Sequence, residues 1–195
     1  MQKVNITGNL RDGLGKKNSK RLRREGQIPC VLYGAEENIH FYTDPKQVKT
    51  LVFTPEFKLA ELTIDGKKYT SILKDSQFHP VSEKVEHLDF LTLTEGTTVK
   101  VNVPLRCVGN APGVKEGGKL IQKVREILIK TTPENLVDEL SVDISDMVLG
   151  GTKRVKDITV GENISILNSM NIPVASIEIP RALKSASAKA EKEKA

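Results

Sequence analysis

A mainly β chain of two domains with short helices, the first a small closed barrel, is the fold this sequence predicts. Three observations point to it. Apolar residues recur with a period of two in short runs, the signature of half-buried strands. An Asp65-Gly66 pair separates two such runs, as in a tight hairpin. The pattern stops at the polar stretch Thr94-Glu95-Gly96-Thr97-Thr98 and restarts at Val99. A length of 195 residues lies between one large domain and two small ones, at ~150 residues per domain. The expected organisation is a barrel over residues 1–94, a second β domain over 95–180 and a disordered Lys/Ala/Glu tail over 181–195.

Taken in order, Lys3 to Leu10 places Val4, Ile6 and Leu10 on a first strand, with a bulge at Gly8. Arg11 to Lys17 is a basic, glycine-containing loop. Asn18 or Ser19 caps a short helix that runs through Glu25, and Gly26 ends it. Leu22 is its only strong apolar anchor, so most of this helix faces solvent or a charged partner. Ile28 to Gly34 is a buried strand and Asn38 to Tyr42 its partner. Asp44-Pro45 gives an N-cap and a proline in the first turn, and Val48, Leu51 and Val52 supply the apolar stripe of a second helix. Lys58 to Ile64 and Lys67 to Leu73 form the hairpin, with Asp-Gly suited to a type I′ turn. Val85 to Leu93 sets Val85, His87, Asp89 and Leu91 on one face against Glu86, Leu88, Phe90 and Thr92 on the other. Roughly six strands and two helices in this length suit a small barrel.

In the second domain, Val99, Val101, Val103 and Leu105 alternate strictly. A glycine-rich loop covers residues 109–118. Gln122 to Thr132 reads as one strand with a kinked start, followed by a turn at Pro133 to Leu136 and a strand at Glu139 to Ile144. A short helical turn near Met147 and strands at Ser165 to Leu167 and Val174 to Ile179 complete the unit. The tail has almost no apolar anchor.

Charge is uneven although the net value is only +5. Residues 1–35 carry eight Lys/Arg against Asp12 and Glu25. A positive field at one end is the footprint of a polyanion partner. Lys16 to Arg24 holds no acidic residue, whereas solvated helix faces normally mix signs. Lys and Arg radiating from a loop and a helical turn can neutralise regularly spaced phosphates. Asn18 and Ser19 add short neutral donors for phosphate or 2′-hydroxyl groups.

A second constellation is Gln77, His79, His87 and Asp89 with Tyr33. His87 and Asp89 share a strand face; buried inward they would be costly unless paired, and outward they suit base-edge or sugar-edge recognition. A surface pair without a role stays open on residue pattern alone. A metal site is not expected, because no second ligand pair at metal spacing follows. Cys30 and Cys107 lie far apart, without CxxC or Cys/His spacing, and read as reduced core residues. Gly113 to Gly118 lacks the following Ser/Thr of a P-loop, and no nucleophile elbow or paired carboxylates stand out. Neither an enzyme, a cofactor nor a small-molecule substrate is indicated. No run approaches the ~18 apolar residues of a membrane span, so a cytoplasmic protein is expected.

Gly15-Lys16, Arg21-Leu22-Arg23, Gly26-Gln27-Ile28-Pro29 and Val31-Leu32-Tyr33-Gly34, then Lys74-Asp75-x-Gln77-x-His79-Pro80 and His87-x-Asp89-Phe90, resemble a bacterial ribosomal family. It is the large-subunit protein family that binds loop E of 5S rRNA, the twenty-fifth in the usual numbering. Val103-Pro104-Leu105, Gly113-Val114-Lys115-x-Gly117-Gly118 and Val142-Asp143-Ile144-Ser145 resemble the C-terminal β domain of its long form, the Ctc or general-stress-protein type. The resemblance implies a six-stranded barrel with two or three helices, similar to the anticodon-binding barrels of glutaminyl-tRNA synthetase. It implies phosphate and sugar contacts from Arg11, Lys16, Ser19, Lys20 and Arg21. It also implies reading of the loop E minor groove by Tyr33, Gln77, His87 and Asp89. The partners it implies are 5S rRNA and neighbouring large-subunit components, and the setting is the ribosome. Lys17-Asn18, Cys30 and Lys74 depart from the family pattern. The competing readings are a stress-linked accessory factor acting on a protein partner through the C-terminal domain, and an enzyme or metal-binding module built on His79, His87 and Asp89.

Overall fold

Six strands close into a barrel: β1 (Lys3–Leu10), β2 (Ile28–Tyr33), β3 (Ile39–Thr43), β4 (Leu59–Ile64), β5 (Lys67–Phe78) and β6 (Val85–Thr92). Around the ring the order is β1-β3-β2-β6-β5-β4. This computed structural model describes residues 1–34, 37–94, 96–161 and 163–180; the residues expected to form a tail, 181–195, lie outside the described residues. Closure is non-local, because β1 runs parallel to β4 and antiparallel to β3, while β2 runs parallel to β6. Closing the sheet removes the unpaired edges that an open sheet would offer to other chains.

The alternation in each strand sends one face inward. Ile6, Leu32, Phe41, Leu62, Leu88 and Phe90 fill the interior, and all are almost wholly buried. Phe41 and Phe90 pack with ring centroids 5.8 Å apart at a 40° tilt. Gly8 does not form the expected bulge: the β1–β4 register runs unbroken through Gly8↔Ile64. Instead, a Cβ at Gly8 would collide with the Phe41 ring, so its lack of a side chain lets that ring lie against β1.

Helix α1 (Lys16–Arg24) starts earlier than expected, with Gly15 at its N-cap and no capping side chain. Ser19 is thus inside the helix, where its hydroxyl donates to the Gly15 carbonyl at 3.1 Å. The C-terminus is a Schellman motif: Gly26, at φ 79°, donates to the Arg23 carbonyl and Gln27 to that of Leu22. Helix α2 (Pro45–Val52) is capped by Asp44, which accepts from the Lys46 amide at 2.8 Å. It buries Val48 and Leu51 against the barrel. Asp65 and Gly66 both have positive φ, as a type I′ hairpin turn requires.

Strand β5 extends to Phe78, past the expected end at Leu73. Its register with β6 shifts between Leu73 and Asp75, leaving Lys74 as the extra residue of a bulge. Lys74 then donates to the Lys100 carbonyl at 2.8 Å. The bulge matters because it sets Asp75 opposite Asp89 and Gln77 opposite His87.

Contacts divide the chain into two units, Met1–Val101 with Thr131–Asp138, and Asn102–Lys130 with the residues from Glu139 onward. Beyond the barrel come strands β7 (Val99–Val108), β8 (Lys119–Gln122), β9 (Glu126–Thr131), β10 (Leu140–Asp143), β11 (Thr152–Arg154), β12 (Ser165–Ile166) and β13 (Pro173–Glu178). They form a four-stranded sheet, β10-β7-β9-β12, and a three-stranded one, β11-β13-β8. The strand expected over Gln122 to Thr132 is two strands in different sheets. Lys123 and Val124 both donate to the Val174 carbonyl, which turns the chain out of β8 before β9 begins. The glycine-rich loop holds one turn of helix, α3 (Pro112–Lys115).

Candidate nucleic-acid interface

Helix α1 is unusual as an isolated object. Asn18, Ser19 and Leu22 turn inward, while Lys16, Lys17, Lys20, Arg21 and Arg24 are exposed. Lys16–Lys20, Lys17–Arg21 and Lys20–Arg24 are like-charge pairs one turn apart, each destabilising by about 0.2–0.5 kcal/mol. Lys16 and Lys17 also stand in the first turn, where a positive charge opposes the helix dipole. A row of phosphates along the helix would reverse the sign of every one of these terms.

The helix is fastened to the barrel rather than free to swing. Leu22 is buried, and Arg23 Nε donates to the Glu86 carbonyl at 3.0 Å, at the start of β6. At the other end an Arg11 terminal nitrogen donates to Ser19 Oγ at 3.0 Å, and the Arg11 amide donates to the His40 carbonyl. Arg11 therefore braces the loop, the helix and β3 at once, and its buried Nε has no partner among the described residues. Arg21 makes only a loose 3.7 Å ion pair with Glu25, both side chains exposed, and such a pair holds the guanidinium weakly. Lys16, Lys17, Lys20 and Arg24 form no ion pair among the described residues.

Beside this helix lies an outward polar wall. His40 on β3, Val31 on β2, Asp89 on β6 and Asp75 on β5 stand in one cross-strand row. His87 and Gln77 face each other in the neighbouring row, and Tyr33 lies opposite Leu91 on the other side. His87 and Asp89 are half-buried and point outward, while Leu88 and Phe90 between and beyond them point into the core. His87 Nδ1 approaches Asp89 Oδ1 to 2.6 Å. The contact is close without being an aligned hydrogen bond, and the buried Asp89 Oδ1 has no hydrogen-bond partner among the described residues. Nε2 is then the ring atom that remains for an outside partner.

The two carboxylates govern their surroundings. Partial burial, then Asp89 and Asp75, hold the Tyr33 phenol above its ordinary range. Tyr33 thus stays a hydroxyl donor through neutral pH. Cys30 beneath the wall is pushed up further, by burial first, then by Asp89; a Leu88 backbone hydrogen bond and the Arg11 charge oppose the shift. For Tyr33 the sign is that of an acid with a raised folded value: its stabilising share is complete below the ordinary phenol value of about 10 and is lost above it. The alkaline absorbance titration of the intact chain, minus that of Tyr33→Phe, should isolate one phenol with a midpoint above 10; a midpoint at or below 10 would place Tyr33 away from Asp89 and Asp75.

The structure thus gathers Arg11, Lys16, Ser19, Lys20 and Arg21 on and around α1, and Tyr33, Gln77, His87 and Asp89 on the adjoining wall. His79 is not with them. Its Nδ1 accepts from the Val81 and Ser82 amides and holds the turn between β5 and β6. Arg23, His40 and Asp75 were not singled out from sequence. Arg23 stood in the basic run, but only the fold shows its guanidinium turned back onto β6. Asp75 stood only within the Lys74-Asp75-x-Gln77 motif without a role, and both it and His40 needed the register to be placed on the wall. Among the described residues, no group of three or more His, Cys, Asp or Glu side chains is arranged to hold a metal, and no helix is long and apolar enough to cross a membrane.

Comparison with known proteins bears on this arrangement. Residues 6–90 match the model of the Ribosomal L25p family, and residues 98–181 that of the ribosomal protein TL5 C-terminal domain. The large ribosomal subunit protein bL25 of Cytophaga hutchinsonii is 41% identical over 192 residues, covering 98% of this chain and 100% of that one. Its namesake in Amoebophilus asiaticus is also 41% identical, covering 98% and 97%. The one in Porphyromonas gingivalis is 38% identical, covering 97% and 99%. These are structural components of ribosomes, a class not known for catalysis. With relatives this similar over nearly its whole length, the chain belongs to the ribosomal L25p family, in the form that carries a TL5-type C-terminal domain.

Proposed function

We propose that residues 1–94 bind 5S rRNA at loop E, with α1 on the phosphates and the β2–β6–β5 wall in the minor groove. The observation that carries this reading is the fastening of an unneutralised cationic helix directly beside an outward row of donors and acceptors. Arg11, Lys16, Lys20 and Arg21 supply phosphate and sugar contacts, which position but do not specify, and Ser19, its hydroxyl held by Arg11 and the Gly15 carbonyl, sets the Arg11 side chain beside them. Tyr33, Gln77, His87 and Asp89 supply the contacts that discriminate. RNA minor grooves are wide and shallow and display 2′-hydroxyls and base edges, so a nearly flat sheet face can reach them. Tyr33 and Gln77 offer donors, Asp89 an acceptor, and His87 its Nε2. Such a set suits non-canonical pairs better than a uniform duplex.

In this assignment the C-terminal domain, 95–180, contacts neighbouring large-subunit components, and the protein acts on the cytoplasmic ribosome in support of translation. A chemical footprint of 5S rRNA with the intact chain tests the reading: protection should centre on loop E, and protection confined to another helix, or none, defeats it. Arg21→Ala should weaken binding of all RNAs about evenly and lower the slope of log affinity against log salt by about one. A loss confined to loop E, with the slope unchanged, would make Arg21 a reader of bases instead.

A further inference from the structure

At one end of the barrel, a cleft of about 610 Å³ opens between the C-terminal end of α1, α2 and the turn between β5 and β6. Its floor is apolar, formed by Ile28, Pro45 and Val85. Phe53, 61% exposed, stands on its edge and meets Phe78, 43% exposed, edge to face at 6.1 Å. The chain has only five phenylalanines, and these two are left in water side by side. Val81, at the tip of the adjoining turn, is 86% exposed. That turn is not loose: the His79 amide donates to the Lys84 carbonyl and the Glu83 amide to that of His79. Two exposed aromatic rings side by side next to an apolar floor mark an interaction surface.

The rim decides what that something is. Arg23, Lys46, Lys49 and Lys84 line the cleft against Glu83 and Glu86, so its surround is cationic. Of the neutral polar side chains, the lining offers Gln27 and Ser82, too few to meet the whole edge of a base. His79 Nδ1 is occupied by two amides, and the Glu86 carbonyl is taken by Arg23. An inserted nucleobase would leave part of its ring nitrogens and carbonyls unpaired, a penalty of about 1–3 kcal/mol for each such group. An aliphatic or aromatic side chain brings no such groups. The chain's own residues 181–195 do not suit the rim, since they carry five basic against two acidic side chains.

We infer that this cleft is a docking site for a segment of a partner protein that presents an apolar anchor flanked by acidic residues. The anchor sits on Ile28 and Val85 against Phe53, and the flanking carboxylates meet Lys46, Lys49 and Lys84. Aromatic anchors with a charged rim are the usual make-up of such interfaces. The cleft adjoins the RNA-binding wall through Arg23 of α1 and Glu86 of β6 but uses none of the residues assigned to RNA, so one barrel can grip RNA on its side and a protein segment at its end.

The test uses the intact ¹⁵N-labelled chain and a set of short synthetic peptides with Leu, Ile, Phe or Trp between two Asp/Glu pairs. The same anchors between Lys pairs, and a single-stranded RNA hexamer, serve as competitors. Acid-flanked peptides should shift the amides of Phe53, Phe78 and Lys84 and leave those of Lys16 and Asp89 in place. Phe53→Ala, an exposed position whose loss leaves the core intact, should weaken them about tenfold. Binding should persist with Arg21→Ala and with loop E RNA already bound, which separates this outcome from the fate of the RNA reading. Equal binding of the Lys-flanked set, occupation of the cleft by the hexamer instead, or no shift at Phe53 with any acid-flanked peptide overturns the inference.

Discussion

Phe90→Ala is expected to lower the stability of the barrel by about 3–5 kcal/mol. Phe90 is fully buried on β6 and leans against Phe41 across the interior. Truncation removes its transfer free energy and leaves a cavity that Phe41, held close to β1 at Gly8, cannot collapse into. A domain of this size is stable by only about 5–15 kcal/mol, so the loss is a large share of the whole. Urea unfolding of the barrel amide signals, compared with wild type and with Phe53→Ala, measures it. The exposed Phe53 should change stability by about 0.5 kcal/mol or less. Similar midpoints for Phe90→Ala and wild type would mean that Phe90 does not anchor the core. Because Phe90 follows Asp89 directly, a barrel that survives the change should still show weakened RNA discrimination.

Asp89→Ala should cost about 1–3 kcal/mol in binding to loop E RNA, roughly a 5- to 150-fold rise in Kd, and leave affinity for a plain duplex almost unchanged. Removing the carboxylate deletes an acceptor and also frees the His87 ring, whose Nδ1 lies 2.6 Å from it. His87→Ala should therefore give a loss of similar size, and the double variant should lose less than the two added together. Full additivity would mean that the two side chains act independently and that the close approach has no role in recognition. A loss shared equally by the plain duplex would instead class both residues with the backbone contacts.

Much of the barrel was legible because its signals are local. Asp44-Pro45 announced α2, Asp65-Gly66 announced the hairpin, and the alternation of Leu88 and Phe90 with His87 and Asp89 told the inner face of β6 from the outer. What could not be read is set by contacts between distant residues. Gly8 looks like a strand break, and only the Phe41 ring, more than thirty positions away, explains it. The extension of β5 to Phe78 depends on a bulge at Lys74 that local propensity does not mark, and without it Asp75 and Gln77 have no assigned neighbours. Strands β8 and β11, of four and three residues, are too short for periodicity to register. At the candidate site, residue types were visible from sequence because charge and polarity are local properties. The cleft beside Phe53 was not, because its walls come from three separate stretches of chain.

A helix of unneutralised cations beside a polar strand wall should prefer a distorted RNA helix over a regular one. Titrating the intact chain with a loop E RNA and with an A-form duplex of equal length, at low and at near-physiological salt, tests that preference directly. The expected result is salt-sensitive binding to both, with loop E favoured by an excess that persists as salt rises, since edge contacts release few counterions. Equal affinity for the two RNAs at both salt levels, or no binding at low salt, would contradict it.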